Sequence, residues 1–289
     1  NRNRAMLSAF RARTGRNQPS NSKFIFGPAT WLRGLIKPEA GMAVAYVDWS
    51  AQEIAIAGAL SGDGKLWDAY AFGDPYIAFA RQAGIVPPDA TKASHPNERQ
   101  ACKAIVLGVG YGMSAEGMAQ QSGIHIEEAR KLLLLHRQTY RRFWAWAEAN
   151  VDRVLIGFPL ETTFGWRIQY PPGCGADING RSILNWPMQA NGAEMMRLGV
   201  SMAVEAGLKV CAPIHDALLL EAPAAEIEAQ AARLAEIMGD ASELVLGPGK
   251  RCRSDIKIVR YPDRYQDERG VVMFEKIMAL LADIEAGDA

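Results

Sequence analysis

Two aspartates stand where the apolar pattern of the chain makes a carboxylate costly. Asp48 follows the largely apolar run 42–47, and Asp216 lies at the bend of an apolar hairpin. A carboxylate in such a place costs several kcal/mol unless it is solvated, paired or bound to a cation. Magnesium is commonly held by one or two carboxylates, with water and phosphate oxygens completing its octahedron. If the fold brings the two aspartates together, the pair is a candidate magnesium site, whereas each aspartate alone is more often a helix cap or turn residue.

A second set of candidate residues is spaced four apart on a predicted helix. Arg99, Lys103, Leu107 and Tyr111 share one face, so the two cationic heads can grip one anion. The apolar and aromatic side chains that follow suit a sugar and a base, which makes the face a candidate nucleotide site. The alternative is a surface helix with a solvated basic pair. Glu53 falls near the first turn of another predicted helix, where a carboxylate also favours the helix dipole.

Other chemistries find little support in the sequence. The glycines of 108–112 do not form G-x-G-x-x-G or end in Gly-Lys-Ser/Thr, which excludes Rossmann and P-loop sites. His215 adjoins Asp216, but no Ser or Cys elbow accompanies it, so a hydrolase triad is not supported. The four cysteines lack the Cys-x-x-Cys spacing of zinc sites and are predicted to be reduced thiols. They are Cys102, Cys174, Cys211 and Cys252.

The elements that must position these residues alternate irregularly between strand and helix patterns. We predict strands over 42–47 and in the segment 208–222, and a hairpin over 160–171. Helices are predicted over 52–60, from 97 onward, over 127–154 as one long helix, and over 185–203, 224–238 and 272–286. The segment 256–273 is polar and contains no interpretable motif. Because the βαβ rhythm of a parallel sheet is absent, the fold class is mixed α+β.

The composition of the chain limits the classes of protein to which it can belong. The chain has 289 residues, of which 49% are apolar and 22% charged, with 32 basic residues against 32 acidic ones. Disorder, collagen and coiled coil are excluded, and one large or two smaller domains are expected. No run is long enough for a membrane helix, and the N-terminus has no secretory h-region, so we expect a soluble, cytoplasmic protein that begins as a trimmed fragment. Residues 1–40 nevertheless carry a net charge of +7, which suits a polyanion.

Taken in order, five segments resemble family A, the DNA polymerase I-like polymerases. D-W-S-A-Q-E at Asp48–Glu53, with L-S-G-D after it at Leu60–Asp63, resembles motif A. R-x-x-x-K-x-x-x-L-G-x-x-Y-G-M-S at Arg99–Ser114 resembles motif B, and I-H-D at Ile214–Asp216 resembles motif C. The family's Arg…Asn-x-Pro-x-Gln segment and its Thr-Gly-Arg triplet are matched at Arg181–Gln189 and Thr14–Arg16. The joint match covers about residues 14–222.

The resemblance implies a right-hand polymerase fold. We expect a palm of antiparallel sheet with helices and mainly helical fingers. Residues 1–60 would form the basic N-terminal segment and the first part of the palm, 61–155 the fingers, 156–255 the rest of the palm, and 256–289 a tail and helix. The family's thumb and exonuclease domain precede the Thr-Gly-Arg triplet, and only 13 residues do so here, so we expect both to lie outside this chain.

The implied activity is template-directed addition of deoxynucleotides to a primer 3′-hydroxyl with two magnesium ions. The implied partners are primer-template DNA, deoxynucleoside triphosphates and either a missing N-terminal region or an accessory protein, but no membrane, in a bacterial or phage-like context. The implied catalytic residues are Asp48 and Asp216, which bind the metal together with the carbonyl of Trp49. The implied nucleotide-binding residues are Glu53, Tyr76, Arg99, Lys103, Leu107 and Tyr111, and the implied DNA-binding residues are Arg16, Arg181, Asn185, Gln189 and His215.

The chain departs from the family pattern at three site positions. Leu107 stands where the family has Phe or Tyr, Ala217 where it has Glu, and Tyr76 where it has a His that meets the triphosphate. Two alternatives therefore stay open. One is a catalytically weak or silent nucleic-acid-binding relic of a polymerase. The other is a single-subunit RNA polymerase relative, which Glu53 disfavours because it would exclude a ribose 2′-hydroxyl.

Overall fold

The computed structural model describes residues 4–19, 23–27, 29–171 and 179–287, which divide into two compact units. Unit 1 comprises Asn1–Ser50, Met196–Ala241 and Arg253–Ala289, and unit 2 comprises Ala51–Met195 and Ser242–Cys252. Within the described ranges no helix has the length and apolar character needed to cross a bilayer.

The elements mix helix with antiparallel strand, as the sequence predicts. The strands are β1 Leu7–Ser8, β2 Gln18–Pro19, β3 Met42–Trp49, β4 Leu160–Glu161, β5 Arg167–Ile168, β6 Val210–Ile214, β7 Ala217–Pro223 and β8 Ser254–Arg260. The helices are α1 Gln52–Ser61, α2 Gly64–Ala71, α3 Pro75–Gln82, α4 Pro96–Gly110, α5 Ala115–Ser122, α6 Ile126–Thr139, α7 Arg141–Leu155, α8 Gly180–Glu205, α9 Ile227–Leu246 and α10 Val271–Gly287. A 3-10 helix spans Thr30–Leu35.

Unit 1 is built on a four-stranded antiparallel sheet in the order β6-β7-β3-β8. The alternating side chains of β3 divide between the two faces of this sheet. On one face Trp49 is 1% exposed, and its Nε1 donates to the carbonyl of Met238 in α9 at 3.2 Å. Gly199 of α8 also lies close to this indole: a Cβ added at Gly199 would be 3.6 Å from the Trp49 ring. Helices α8 and α9 therefore cover this face.

The opposite face of the sheet packs on chain segments that precede and follow it. Val44 belongs to a buried cluster with Phe24, Phe26, Val259 and Tyr265, and Tyr46 packs against that cluster. Strand β8 supplies Val259 and lies beside β3 over its whole length. The expectation that 256–273 is an uninterpretable tail is therefore wrong for its first part, which is the fourth strand of the sheet.

Unit 2 is mainly helical, and one helix prediction fails there. The long helix predicted over 127–154 is two helices, α6 and α7, separated at Tyr140, whose φ of −108° and ψ of 56° leave the helical region. Asp63 provides the physical reason for a new helix start. Its Oδ2 accepts the backbone N–H groups of Arg142 and Phe143, each at 3.1 Å, and so caps the first turn of α7.

Most other predicted elements agree with the structure within a few residues at their ends, but α8 begins at Gly180 rather than 185 and α9 continues to Leu246 rather than ending at 238. The hairpin at 160–171 forms as β4 and β5, and the turn between β6 and β7 holds residues 215 and 216. Cys102, Cys211 and Cys252 are free thiols, while Cys174 lies outside the described residues. Burial of the Cys102 thiol raises its pKa to about 11, so this cysteine is protonated at neutral pH.

Candidate active site

The candidate residues fall into two sets, one in each unit. The first set is formed in unit 1 by strand pairing. Asp48 lies near the end of β3 and pairs with Ala217, the residue that follows Asp216. The backbone N–H of Trp49 donates to the carbonyl of Asp216 at 3.1 Å, which ties the β6–β7 turn to the end of β3. The sheet thus joins two aspartates that are far apart in the sequence.

The turn that carries Asp216 is tight. His215 has a φ of 49°, in the left-handed region that non-glycine residues rarely adopt, and its side chain is exposed. Such conformations persist where the surrounding structure fixes them. Here the fixing contacts are the ladder between β6 and β7 and the hydrogen bond from Trp49.

The negative charges of Asp48 and Asp216 both act on the phenol of Tyr46. Burial raises the pKa of Tyr46 well above its usual value, and the charges of Asp48 and Asp216 raise it further. Asp48 is half-buried, and its Oδ1 is inaccessible to solvent. The strand pairing and the Trp49–Asp216 hydrogen bond bring the two aspartates to the same end of the sheet, where a cation would offset the repulsion expected between nearby carboxylates.

The donor chemistry of this pair fits magnesium with external ligands. Among the described residues no three Asp, Glu, His or Cys side chains are arranged to hold a metal by themselves. Magnesium does not need such a set, because carboxylates supply one or two hard oxygen donors and water or phosphate supplies the rest. Asp48, Asp216 and the carbonyl of Trp49 are the groups that could hold it.

Asp255 is an acidic group on this face that the sequence did not single out. It lies directly opposite Asp48 on β8, and directly opposed residues of antiparallel strands project to the same face. Ser50 Oγ donates to Asp255 Oδ2 at 2.6 Å. On the other side of Asp48 the position holds Ala217, which is fully buried. Only the strand register reveals Asp255, because its sequence surroundings match no motif of the family.

The second set lies in unit 2, on and near α4. Arg99 and Lys103 fall one turn apart on this helix, both half-buried. Arg99 Nε donates to Asp74 Oδ2 at 2.7 Å. The guanidinium carbon of Arg99 lies 5.2 Å from the ring centroid of Tyr76, and Lys103 Nζ lies 5.8 Å from it. The predicted cationic face therefore exists and is supported by the first turn of α3.

Tyr111 caps the C-terminus of α4 and meets three polar side chains of unit 2. Its hydroxyl donates to Glu53 Oε1 at 2.8 Å, and Gln189 Nε2 donates to it at 3.4 Å. Burial raises the pKa of Tyr111, a hydrogen bond with Asn185 opposes the rise and the bond with Glu53 adds to it. Glu53, which the sequence assigns to nucleotide binding, thus meets at one phenol with Asn185 and Gln189, which it assigns to DNA binding.

Leu107 lines a small cavity. The cavity has a volume of about 30 Å³, and Glu53, His136 and Asn185 also line it. This is enough space for a water molecule. His136 is 2% exposed and accepts a hydrogen bond at Nδ1 from Trp144 Nε1 at 3.1 Å. Burial, together with the nearby charge of Arg137, lowers the pKa of His136 to about 3, so the ring is neutral at pH 7.

The residues expected to touch DNA are distributed over both units. In unit 1, Gly15 adopts a φ of +71°, and its carbonyl accepts a hydrogen bond from Arg197 Nη1 at 2.6 Å, which fixes the turn before Arg16. In unit 2, Arg181 is exposed at the start of α8, whereas Asn185 is buried. The DNA contacts of these residues stay predictions.

Known proteins resemble this chain over most of its length. It is 32% identical over 226 residues to the thermostable DNA polymerase I of Thermus thermophilus, a match that covers 74% of this chain and 27% of that protein. It is 30% identical to DNA polymerase I of Chloroflexus aurantiacus, covering 72% and 23%. The chain thus spans about a quarter of the length of these relatives.

The fold likewise matches a solved polymerase domain. The POL domain of Pol1 from M. smegmatis, solved in complex with DNA primer-template and dNTP, superposes with a TM-score of 0.71 at 24% identity, covering 88% of this chain and 46% of that one. The α+β fold expected from the sequence is confirmed by this similarity. The sequence profile of DNA polymerase family A matches residues 27–253, more than half of the chain, and the chain belongs to that family.

Proposed function

We propose that this chain carries the palm and fingers of a template-directed DNA polymerase, which adds deoxynucleotides to a primer 3′-hydroxyl. The observation that supports this most strongly is the juxtaposition of Asp48 and Asp216 at the end of the sheet, in a member of DNA polymerase family A. We assign the palm to residues 1–60 and 156–255, extended to Arg260 because β8 completes its sheet, and the fingers to 61–155.

The carboxylates of Asp48 and Asp216, with the carbonyl of Trp49, are the groups that would hold two magnesium ions. When bound, such ions activate the attacking hydroxyl and neutralise charge on the transferred phosphoryl group and the leaving pyrophosphate. The protein's own contribution is positioning. The hydrogen bond from the Trp49 N–H to the Asp216 carbonyl ties the strand end that carries Asp48 to the turn that carries Asp216.

The cations of α4 bind the triphosphate. Arg99 and Lys103 neutralise its negative charge, and their support on α3 orders them before the nucleotide arrives. Leu107 contacts the sugar, and Tyr111 lies beside the templating base. Glu53 occupies the position of a ribose 2′-hydroxyl and so selects deoxynucleotides, and its hydrogen bond with Tyr111 holds its carboxylate in place.

Primer-template DNA is the macromolecular partner. Arg16, Arg181, Asn185, Gln189 and His215 contact it, largely through the backbone and the minor groove. The net charge of +7 in residues 1–40 supplies an electrostatic attraction that does not depend on sequence. A thumb or exonuclease region elsewhere, or an accessory protein, would add to the grip on DNA.

A second candidate is a polymerase relic that binds nucleic acid without extending it. Buried Ala217 favours it, because that position adjoins Asp48 and supplies no carboxylate. Asp255, opposite Asp48 on β8, supplies another carboxylate on the same face of the sheet, which counts against the relic.

Primer extension tests the proposal. A labelled primer is annealed to four templates that differ only in the first unpaired base, and each is incubated with magnesium and one deoxynucleotide at a time. We expect extension by one residue only where the nucleotide complements the template. Binding of the duplex without any extension would favour the relic, and preferential use of ribonucleotides would favour the RNA polymerase alternative.

A further inference from the structure

The first turn of α3 is a rigid support that faces α4. Asp74 caps this helix, because its Oδ1 accepts the backbone N–H groups of Tyr76 at 3.1 Å and Ile77 at 3.0 Å. Pro75 occupies the first helical position, where its fixed φ suits the helix. Tyr76 is 3% exposed. The backbone and ring of Tyr76 are therefore fixed in place by packing and capping.

Two cations of α4 lie over this one ring. The guanidinium carbon of Arg99 is 5.2 Å from the Tyr76 centroid, and Lys103 Nζ is 5.8 Å from it. Both distances are within the roughly 6 Å at which a cation is attracted to the face of an aromatic ring. The spacing of four residues in α4 is what brings both heads to the same aromatic side chain.

Asp74 holds one of these cations from a second direction. Its Oδ2 accepts Arg99 Nε at 2.7 Å, while its Oδ1 serves the helix cap. The bond uses one of the five N–H donors of the guanidinium. The Arg99 and Asp74 side chains are 27% and 17% exposed, so the pair is partly shielded from solvent. Long basic side chains lose rotamer freedom when they bind an anion, and this support removes part of that freedom beforehand.

We propose that Tyr76 is a positioning residue for triphosphate binding, which acts through the π face of its ring on Arg99 and Lys103. This rests on the proposed function, since it assigns the triphosphate to those two cations. It differs from the expectation that Tyr76 itself meets the triphosphate as a stand-in for histidine. The near-complete burial of Tyr76 and the cations over its ring favour the indirect role.

Three variants separate the ring face from the hydroxyl. Tyr76→Phe keeps the ring and removes the hydroxyl. Tyr76→pentafluorophenylalanine keeps the ring's shape and reverses its quadrupole, so it removes the cation attraction with little change in packing. Tyr76→Leu removes the ring. The same fluorinated residue at Phe158, which lies 5.7 Å from Arg153 on α7, is the matched control for a ring–cation contact away from the site.

Two readouts are measured. The affinity for inorganic tripolyphosphate is determined by calorimetry on the full chain, and kcat and KM for a complementary deoxynucleotide are determined by templated single-nucleotide extension. We expect Tyr76→Phe to stay within about twofold of the parent. The fluorinated and Leu variants should weaken tripolyphosphate binding and raise KM by about 5- to 20-fold, corresponding to two cation–π contacts, with a smaller effect on kcat.

The proposal is overturned if Tyr76→Phe loses as much affinity as Tyr76→Leu, because the hydroxyl would then be the contact. It is also overturned if the fluorinated variant binds tripolyphosphate like the parent. Should Tyr76→Leu fail to fold, the comparison of Tyr76→Phe with Tyr76→pentafluorophenylalanine still shows whether the ring face attracts the two cations. If the parent extends no primer, the proposed function fails, while tripolyphosphate binding reports separately on Tyr76.

Discussion

Glu53 shows how the position of a side chain depends on a partner far away in the sequence. Its carboxylate accepts the Tyr111 hydroxyl at 2.8 Å, so its position is set by the end of α4 as well as by α1. The motif alone suggested a sugar gate, but the contact with Tyr111, 58 residues away, could not be read from spacing.

Removing this carboxylate should relax sugar selection. In Glu53→Ala we expect the preference for deoxynucleotides over ribonucleotides to fall about tenfold or more, because space opens where the 2′-hydroxyl would be excluded. Competing single-nucleotide incorporation measures the ratio. Glu116→Ala, at an exposed position of α5, serves as control. An unchanged ratio in Glu53→Ala would end the gate assignment.

His136 is a residue whose environment predicts a pH effect on stability. Its pKa is about 3 in the folded protein and about 6.5 when exposed, so between these values the unfolded chain binds a proton that the folded chain does not. Stability should therefore fall as pH drops below about 6.5, by up to about 1.4 kcal/mol per pH unit.

The variant His136→Gln isolates this effect. Its amide oxygen can still accept from Trp144 Nε1, but it does not titrate. We expect the free energy of unfolding, measured by urea titration between pH 4.5 and 7, to change less steeply with pH than in the parent. A parental slope in His136→Gln would contradict the assignment.

At the scale of elements, the sequence predicted the strands and turns whose conformation is determined by adjacent residues. The apolar run of β3, the turn at 214–216 and the hairpin at 160–171 carry their signals in adjacent residues. The break at Tyr140 carries none, because the cap of α7 comes from Asp63, about 80 residues earlier. Strand β8 was missed for a similar reason. Its residues are largely exposed, and only pairing with β3 makes them a strand.

The packing of α10 yields a prediction at this scale. Gly270 precedes this helix, and an added Cβ would lie 2.6 Å from the backbone nitrogen of Trp31 in the 3-10 helix. Backbone atoms cannot move aside as a flexible side chain can. Gly270→Ala should therefore lower the free energy of unfolding by about 1–3 kcal/mol.

A matched glycine tests whether this cost comes from the contact. Gly64 begins α2, and an added Cβ there meets nothing within 4 Å. We expect Gly64→Ala to leave the urea midpoint unchanged or slightly raised, since alanine favours a helix over glycine. Equal midpoints for the two alanine variants would refute the packing account of Gly270.

For the whole molecule, the distribution of charge along the chain bears on DNA binding more than the net charge does. The formal charge is zero, but residues 1–40 hold +7 and the remaining residues −7. If the basic segment binds DNA phosphates, the logarithm of the DNA affinity should fall linearly with the logarithm of salt concentration. The double variant Arg11→Gln and Arg13→Gln, at two exposed positions, should reduce that slope by about 1–2. Lys276→Gln on α10 should not change it, and an unchanged slope in the double variant would exclude these arginines from the contact.

The direct measurement of the central claim is the single-turnover rate of templated incorporation with magnesium. Parent, Asp48→Asn, Asp216→Asn and the exposed control Asp263→Asn are compared under the same conditions. If Asp48 and Asp216 hold the catalytic magnesium ions, each Asn variant should react at least about a hundredfold more slowly, while Asp263→Asn stays within about twofold. If the parent extends the primer and either Asn variant keeps its rate, the carboxylate pair at the end of β3 is not the catalytic centre.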